Sequence, residues 1–365
     1  MIRVLHIVTY MGRGGIETML MNYYRKIDRE RIQFDFLVHR DFEADYDAEI
    51  LSLGGRIFRL PMLNPFSVDY RRKLNCFFME HKEYSIVHSH IDSMSAIPLK
   101  YAKKNGIPVR IAHAHNCAEE KNIKYYLKLY YKRQLSNYAN VRMACSDEAG
   151  KWLFGNLDYI LLSNAIDTEQ YKYDQTVRKT KRKELGIAPD TLVVGNVARF
   201  FPQKNHTFMV QVFNELLIQK PNSVLVLVGE GDSKNIKSEI EHECVELGIK
   251  DKVMFLGVRN DVPQLLQAMD VYLFPSLFEG LPVSIIEAQT AGLPCLISDK
   301  VPIECKKTDL VYVCNLADDI SEWVKKILQL GLLKRKDGKK AIVDSGFDIN
   351  NNVSKLEQFY IERFT

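Results

Sequence analysis

The sequence has little that would mark a secreted, cysteine-stapled or membrane-spanning protein. Its seven cysteines are scattered, odd in number and form no CxxC pair. This argues against a disulfide framework and a cysteine zinc site, and it indicates a reducing compartment. No apolar run approaches the roughly 20 residues of a membrane helix. Met1 to Tyr10 is typical of a strand rather than a signal peptide, so we expect a cytoplasmic protein.

Strong charge and internal repetition are also missing. The formal net charge is +4 over 365 residues, which gives no reason to expect a nucleic-acid partner. The chain has no internal repeat and no low-complexity segment. Its length predicts two domains. Apolar runs alternate with helical periodicity through both halves, and this predicts two doubly wound α/β domains.

The most informative stretch is 274–299, FPSLFEGLPVSIIEAQTAGLPCLISD. It predicts the end of a buried strand, a loop, a helix over Val283 to Thr290, and a further strand over Cys295 to Ser298. Glu279 then lies in the loop at the carboxyl end of a strand, where parallel sheets bind ligands, and Glu287 lies inside the helix. The helix start suits a phosphate, whereas the two carboxylates suit sugar or ribose hydroxyls. Two ordinary surface glutamates would give the same spacing.

Two cations mark another predicted strand-to-helix loop. Arg199 follows the strand Leu192 to Ala198, and Lys204 precedes a helix that Asn205 is expected to cap. An arginine fork and a lysine point charge beside a helix start predict an anion site. The alternative is a pair of solvated surface cations.

A glycine-rich loop, residues 9–15, separates the first strand from the first helix. Such a unit lets a phosphate approach the backbone. A dinucleotide fingerprint would need a third glycine where Glu17 stands, so an NAD-dependent oxidoreductase is disfavoured. A plain tight turn is the alternative.

Two possible metal motifs receive little support from the sequence. His113 and His115 alternate onto one face of a strand exit, but two histidines are too few for a metal site, and no third ligand is evident. Asp45 and Asp47 spell a DxD motif. They stand in a charged, helical stretch, which favours a solvated surface.

Several motifs together carry a family resemblance. Pro275, Ser276, Glu279, Gly280, Pro282, Glu287 and Ala288 complete a P-S-x-x-E-G-x-P…E-A pattern. This pattern resembles that of retaining glycosyltransferase family 4, GT-B-fold enzymes that use nucleotide sugars. Gly14-Gly15-x-Glu17, Arg199…Lys204 and Gly229-x-Gly231 match further motifs of that family in the same order. The detailed sequence of the stretch 274–299 is similar to that of the branch of the family that builds bacterial capsular polysaccharides or exopolysaccharides.

The resemblance implies a GT-B fold, in which two Rossmann-like domains face a central cleft. It places an acceptor-side domain at 1–167, a nucleotide-sugar domain at 168–345, and a helix at 346–365 that returns to the first domain. The implied reaction moves a hexosyl unit from a nucleoside diphosphate sugar to a hydroxyl of a growing lipid-linked polysaccharide. A UDP-sugar is the first candidate for the donor. It implies retention at the anomeric carbon, and neither a cofactor nor a metal.

The resemblance also assigns roles to residues. The implied catalytic residues are His115, Arg199, Lys204 and Glu279. The implied donor-binding residues are Gly14, Gly15, Gly229, Val258, Arg259, Gly280, Leu281, Pro282, Val283 and Glu287. Glu17 and His113 are implied on the acceptor side.

The segment Glu119 to Tyr138 is rich in lysine and tyrosine. Such a helix can rest on an anionic membrane surface, which would make the protein peripheral on the inner face of the plasma membrane. An amphipathic helix with solvated cations is the alternative. Two other functions stay open at this point: a sugar-nucleotide epimerase or hydrolase on the same fold, and a non-catalytic subunit of a polysaccharide assembly complex.

Overall fold

The computed structural model describes residues 1–116, 125–231 and 235–364. The chain forms two compact units. The first comprises Met1–Ile166 and Asp348–Thr365, and the second comprises Asp167–Phe347. Each unit is a parallel sheet with helices on both faces, so the predicted pair of doubly wound α/β domains is confirmed.

The described residues of the first unit contain a parallel sheet in the order β3-β2-β1-β4-β5-β6-β7. Its strands are β1 (Ile2–Ile7), β2 (Ile32–Val38), β3 (Ile57–Arg59), β4 (Ile86–Ser89), β5 (Val109–Ala114), β6 (Val141–Ala144) and β7 (Ile160–Leu161). The helices that connect them are α1 (Gly15–Lys26), α2 (Asp47–Ser52), α3 (Val68–Glu80), α4 (Ala96–Lys104), α5 (Tyr125–Leu135) and α6 (Asp147–Phe154). The central strands are buried on both faces, and mostly apolar, because helices cover both sides of the sheet.

The second unit has the same architecture, with the sheet order β10-β9-β8-β11-β12-β13 among its described residues. Its strands are β8 (Leu192–Val197), β9 (Ser223–Val228), β10 (Val253–Phe255), β11 (Val271–Phe274), β12 (Cys295–Ser298) and β13 (Val311–Cys314). Its helices are α7 (Thr168–Tyr171), α8 (Gln175–Glu184), α9 (His206–Gln219), α10 (Ile236–Glu246), α11 (Val262–Ala268), α12 (Val283–Thr290), α13 (Ile320–Leu330) and α14 (Lys339–Asp344). Two apolar cores lie on its two faces.

The last helix, α15 (Ile349–Phe364), belongs to the first unit. Its Tyr360 is buried in the core beside β1, and the Tyr360 hydroxyl is hydrogen-bonded to His88 Nδ1 at 2.8 Å. Glu357 accepts a hydrogen bond from the backbone N–H of Asp28 at 2.6 Å. These hydrogen bonds tie α15 to β4 and to the loop before β2.

The lysine- and tyrosine-rich segment is only partly described, because 117–124 lie outside the described residues. In α5, Tyr126 is 77% exposed and Tyr130 is 54% exposed, while Leu135 is buried. Lys132 lies over the ring of Trp152 at 4.6 Å. Over the described ranges, no helix combines the length and the apolar character that a bilayer crossing requires.

The DxD motif is not the solvated surface that we expected. Asp45 is exposed, but Asp47 is 3% exposed and pairs with Arg59 on β3. Asp47 also accepts from the backbone N–H of Ala44 at 3.1 Å. The second aspartate therefore fixes the entry to α2, because a buried carboxylate needs a charged or N–H partner.

Candidate active site

The predicted anion and sugar residues follow β8 and β11, two neighbouring strands of the second sheet. The chain leaves β8 toward β9 and β10 on one side and then crosses to β11 on the other. The strand order thus reverses between β8 and β11. In open α/β sheets, the crevice at such a reversal is the place where ligands bind.

Lys204 and Glu279 meet at this point. Lys204 Nζ lies 2.6 Å from Glu279 Oε1, and the Glu279 side chain is only 7% accessible. The ammonium group also lies over the ring of Phe274 at 5.0 Å, at the end of β11. Water screens the attraction between these two charges less than it screens an exposed ion pair.

Hydrogen bonds from a backbone N–H and from two side-chain amides join the two loops. Leu277 N–H donates to the Gln203 carbonyl at 2.8 Å, and Gln203 Nε2 donates to the Phe278 carbonyl at 2.7 Å. Asn205 stands at the N-cap position of α9, as predicted, but its side chain does not cap the helix. It is left-handed (φ 57°), and its Nδ2 donates to the Pro275 carbonyl at 3.2 Å. The prediction that the Asn205 side chain caps the helix is therefore wrong. Its amide instead links the loop after β8 to the loop after β11.

Arg199 and the start of α12 supply further positive character. Arg199 is exposed, lies over the ring of Phe201 at 4.7 Å, and forms no ion pair within the described ranges. The helix α12 spans Val283–Thr290, as predicted, with Pro282 at the N-cap and no side-chain cap. Its first N–H groups and its dipole therefore favour an anion.

Gly229 shows why the V-G-x-G turn after β9 needs glycine. Its φ is +137°, and a Cβ there would lie 2.1 Å from the carbonyl oxygen of Ala198. Its N–H donates to the Gly257 carbonyl at 2.8 Å. The backbone after β9 is thus drawn tightly against the loop after β8, where a side chain would not fit.

Glu287 is a buried carboxyl group on the second turn of α12. It is 8% exposed and accepts a hydrogen bond from Tyr171 Oη at 2.8 Å. Burial raises its pKa to about 7, because desolvation penalises the charged form more than the tyrosine bond favours it. This carboxyl group titrates near neutral pH.

In the first unit, the glycine-rich loop ends at the start of α1. Gly14 is the N-cap, and a Cβ on it would lie 2.1 Å from Glu17 Oε2, so the Glu17 carboxylate folds back over the cap. A Cβ on Gly15 would meet nothing within 4 Å. Glu17 therefore accounts for the need for glycine at position 14. No contact among the described residues accounts for glycine at position 15.

His113 and His115 lie in a cluster of buried histidines. His113 Nδ1 lies 3.1 Å from His88 Nε2, and His115 Nε2 lies 3.0 Å from His90 Nδ1. His90 Nε2 in turn lies 3.0 Å from His6 Nδ1. Burial lowers the pKa of all five imidazoles well below the ordinary value of 6.5, so they are neutral at pH 7.

Comparison with known proteins shows the family to which the chain belongs. The family model described as Glycosyltransferase Family 4 matches residues 13–170, and the one described as Glycosyl transferases group 1 matches residues 177–342. The chain is 36% identical to the putative glycosyltransferase EpsF of Bacillus subtilis, over 98% of this chain and 96% of that protein. The chain belongs to the GT-B glycosyltransferases.

Two further likenesses cover nearly the whole glycosyltransferase. It is 25% identical to the UDP-Gal:alpha-D-GlcNAc-diphosphoundecaprenol alpha-1,3-galactosyltransferase of Escherichia coli, over 99% of this chain and 97% of that one. The crystal structure of Anabaena Alr3699/HepE in complex with UDP and glucose superposes with a TM-score of 0.81 at 16% identity, covering 98% and 99% of the two chains. The second likeness shows the fold.

The structure brings some of the predicted site residues together and gives others a different setting. Lys204 and Glu279 are in direct contact. Val258 is exposed, but the Arg259 guanidinium is bound by both oxygens of Asp261 at 2.7 Å, so its charge is already paired. The Arg259 guanidinium is therefore held by Asp261, whereas the Val258 side chain faces solvent.

Our reading of the sequence missed three members of the histidine cluster. His6, His88 and His90 lie beside His113 and His115, and two groups of three histidines are close enough to hold a metal ion. The available signal was the repeated H-x-H pattern at residues 88–90 and 113–115, at the ends of two predicted strands. A third histidine, His90, therefore lies beside His113 and His115 in the fold, although the sequence alone did not place it there.

Proposed function

We propose that this glycosyltransferase moves a hexosyl unit from a UDP-sugar to a hydroxyl group of a lipid-linked glycan, with retention at the anomeric carbon. The observation that carries the proposal is the contact between Lys204 and Glu279 where the strand order reverses. A cation for a phosphate and a carboxylate for sugar hydroxyls lie side by side there, as a nucleotide sugar requires.

The leaving group would be stabilised by fixed charges. In the transfer, the bond from the anomeric carbon to the diphosphate oxygen breaks, and the acceptor oxygen bonds to that carbon. Negative charge grows on the diphosphate, where Lys204, Arg199 and the N-terminal end of α12 would stabilise it. The acceptor proton passes to the leaving phosphate oxygen. No metal ion is needed on the diphosphate in this scheme.

The remaining predicted roles follow from the same proposal. Gly14, Gly15 and Gly229 would lie along the donor, and the open space beside Gly15 would let the donor approach the backbone closely. His115 would contact the transferred sugar, while Glu17 and His113 would lie on the acceptor side. Glu287 would accept hydrogen bonds from the ribose hydroxyls.

The choice of UDP draws support from relatives. The Escherichia coli relative is named for UDP-Gal, and HepE has been crystallised with UDP. A lipid-linked acceptor is supported by the diphosphoundecaprenol in the name of the same relative. The exposed tyrosines of α5, Tyr126 and Tyr130, would then rest on an anionic membrane surface on the cytoplasmic side, next to such an acceptor.

A ligand panel tests this proposal directly. We expect UDP to raise the melting temperature of the purified protein more than GDP, ADP, CMP or NAD do. At about 100 times its dissociation constant, a ligand stabilises the folded state by about 2.7 kcal/mol, which such a melt resolves. The shift should be the same with EDTA as with magnesium. A shift with NAD alone would contradict the assignment, and no shift with any nucleotide would favour a non-catalytic subunit.

The titration of Glu287 predicts a pH-dependent affinity for UDP. A carboxylate accepts ribose hydrogen bonds better than a carboxylic acid, and the pKa of Glu287 is about 7. Affinity should therefore rise about tenfold from pH 6 to pH 8, as the ionised fraction grows. The folded protein binds this proton more tightly than the unfolded chain does, so its contribution to stability is lost as the pH rises through about 7.

Isothermal titration calorimetry at several pH values measures the effect. The matched control is Glu287→Gln, which keeps the shape of the side chain and the bond from Tyr171 but does not titrate. Any pH dependence that remains in this variant belongs to the phosphate of UDP itself. Equal pH profiles for the variant and the parent would show that Glu287 does not contact the ligand.

A further inference from the structure

Glu287 is held by a residue from a distant segment of the chain. Tyr171, the last residue of α7, donates its hydroxyl to Glu287 Oε1 at 2.8 Å, across 116 residues of sequence. Within the described ranges, no second hydrogen bond reaches the Glu287 side chain. Glu287 is buried but not sealed, since 8% of it remains exposed. One carboxylate oxygen is therefore engaged, and the other, Oε2, is available to a ligand.

The segment that carries Tyr171 is fixed from α11. Gln267 lies there with 1% exposure, and its Nε2 donates to the backbone carbonyls of Tyr171 at 3.2 Å and Lys172 at 3.3 Å. Its Oε1 accepts the backbone N–H of Asp174 at 3.2 Å. A buried amide that uses its donor and its acceptor on one segment holds that segment in place. The position of the Tyr171 hydroxyl thus depends on α11 as well as on Glu287, as a preorganised site requires.

The other polar groups around Glu287 have partners of their own. The Tyr272 hydroxyl on β11 donates to the Val197 carbonyl at 3.0 Å and accepts the Val197 N–H at 3.1 Å. Burial raises the pKa of Tyr272, and the nearby charge of Glu287 adds to this, so the hydroxyl stays neutral. Lys339, on the neighbouring helix α14, pairs with a glutamate of α7. Neither α11 nor α12 carries a further ionisable side chain. Among the described side chains, Tyr171 is therefore the one that acts directly on this carboxyl group.

The hydrogen bond from Tyr171 favours the charged form of Glu287. Burial raises the pKa of Glu287 to about 7, whereas a hydroxyl that donates to a carboxylate lowers its pKa. Without the hydroxyl, burial acts alone, so the pKa of Glu287 should lie above 7 and the carboxylic acid should dominate at neutral pH. A carboxylic acid uses one oxygen as a donor and has less capacity to accept ribose hydrogen bonds. Tyr171 therefore sets both the orientation of Oε2 and its ability to accept.

We propose that Tyr171 is a positioning residue for ribose: it holds one oxygen of Glu287 so that the other accepts the ribose hydroxyls of the nucleotide. The pair then selects a ribonucleotide over its 2′-deoxy form, because a buried acceptor left without its donor costs affinity. This inference rests on the proposed role of Glu287. It adds a residue that acts through Glu287, and a specificity that the transfer reaction itself does not require.

The pH dependence of UDP affinity tests the role of Tyr171. Tyr171→Phe keeps the ring and removes the hydroxyl, so the pH at which the affinity rises should increase by about one unit. Calorimetry should then show UDP binding about fivefold weaker than in the parent at pH 7 and within about 1.5-fold of it at pH 9. Damage to the fold alone would weaken binding equally at both pH values. An unchanged profile, or an equal loss at both pH values, would overturn the inference.

The choice between ribose and deoxyribose is a second readout. At pH 7, the parent should bind UDP at least about tenfold more tightly than 2′-deoxy-UDP, the loss typical of a charged acceptor without its donor. Tyr171→Phe should reduce this preference about fivefold, because it lowers the ionised fraction of Glu287 by that factor. A purely structural defect weakens the binding of both nucleotides alike, so an unchanged preference would also count against the role of Tyr171.

Two further variants separate the outcomes. Tyr173→Phe is the matched control, since Tyr173 stands two residues further in the same segment, with its ring under Arg335 at 5.4 Å. It should keep the parent's profile and preference, and a loss of both would trace the effect to the segment rather than to the Tyr171 hydroxyl. If Glu287→Gln keeps both, the proposed ribose contact of Glu287 is wrong and the inference falls with it. If Glu287→Gln loses both while Tyr171→Phe keeps them, only the role of Tyr171 is overturned.

Replacement of Tyr171 with 3-fluorotyrosine covers the case in which Tyr171→Phe does not fold. Fluorine makes the hydroxyl more acidic and a stronger donor, while the hydrogen bond to Glu287 stays in place. The pH at which UDP affinity rises should therefore decrease, opposite to the shift in Tyr171→Phe. A rise at the same pH as in the parent would show that the hydroxyl does not act on Glu287.

Discussion

Replacing Lys204 with methionine is expected to lower kcat by about 100- to 1,000-fold, the typical loss when one preorganised charge is removed from a transition state. Methionine keeps most of the aliphatic stem and removes the ammonium group that lies over the Phe274 ring. UDP affinity should fall about 10- to 100-fold, since a hydrogen bond to a charged group is worth about 1.5–3 kcal/mol. Single-turnover rates and calorimetry with UDP measure the two effects separately.

The same substitution should also destabilise the second unit. Glu279 would lose the cation 2.6 Å away while its side chain stays 7% accessible. An unpaired buried acceptor costs about 1–3 kcal/mol, and a charged one costs more. Denaturant unfolding measures this cost. Lys300→Met is the matched control, because Lys300 also forms an ion pair in this unit, on the exposed surface beside Asp299. A Lys204→Met enzyme with normal kcat would remove Lys204 from the proposed mechanism.

The local elements of the second unit could be predicted because proline and glycine residues mark where they begin and end. The bounds predicted for α12, Val283 to Thr290, and for β12, Cys295 to Ser298, are those observed. Pro282 starts the helix, and Gly292 and Pro294 follow its end, so short-range stereochemistry decides both ends. For α12 and β12, the residues next to each end determine the local structure, so the sequence was sufficient to predict their bounds.

Contacts between distant segments could not be predicted in the same way. Lys204 and Glu279 are 75 residues apart, and they meet because β8 lies next to β11 in the sheet. The order of strands depends on packing across the whole unit, which no local pattern encodes. The side chain of Asn205 shows the same limit: its predicted cap gave way to a bond with Pro275, 70 residues away.

The histidine cluster was missed for this reason as well. His6 is 84 residues from His90, and only the pairing of β1 with β4 brings them within 3.0 Å. Asp47 illustrates the opposite error. Its charged surroundings in sequence suggested solvent, but Arg59 on β3 covers it. Composition describes the average environment of a segment, whereas burial is decided for each side chain by what packs against it.

Glu279→Gln is expected to separate binding from chemistry in a way that Lys204→Met does not. Glutamine keeps the shape of the side chain and one acceptor oxygen, so the fold should stay within about 1 kcal/mol of the parent. Lys204 loses its competing carboxylate, so its charge becomes fully available to the diphosphate. UDP affinity should therefore hold or improve, whereas it falls in Lys204→Met.

The rate of transfer should nevertheless drop about 100- to 1,000-fold in Glu279→Gln, because the carboxylate that holds the sugar hydroxyls beside the reacting carbon is gone. Calorimetry with UDP and transfer rates with the donor sugar, measured on the same preparations, decide the matter. The double variant, Lys204→Met with Glu279→Gln, should recover the stability lost in Lys204→Met but not the activity. Equal losses of UDP affinity in both single variants would mean that the ion pair only holds together the loops that follow β8 and β11. Opposite changes in UDP affinity with a shared loss of rate would assign the cation to the diphosphate and the carboxylate to the sugar.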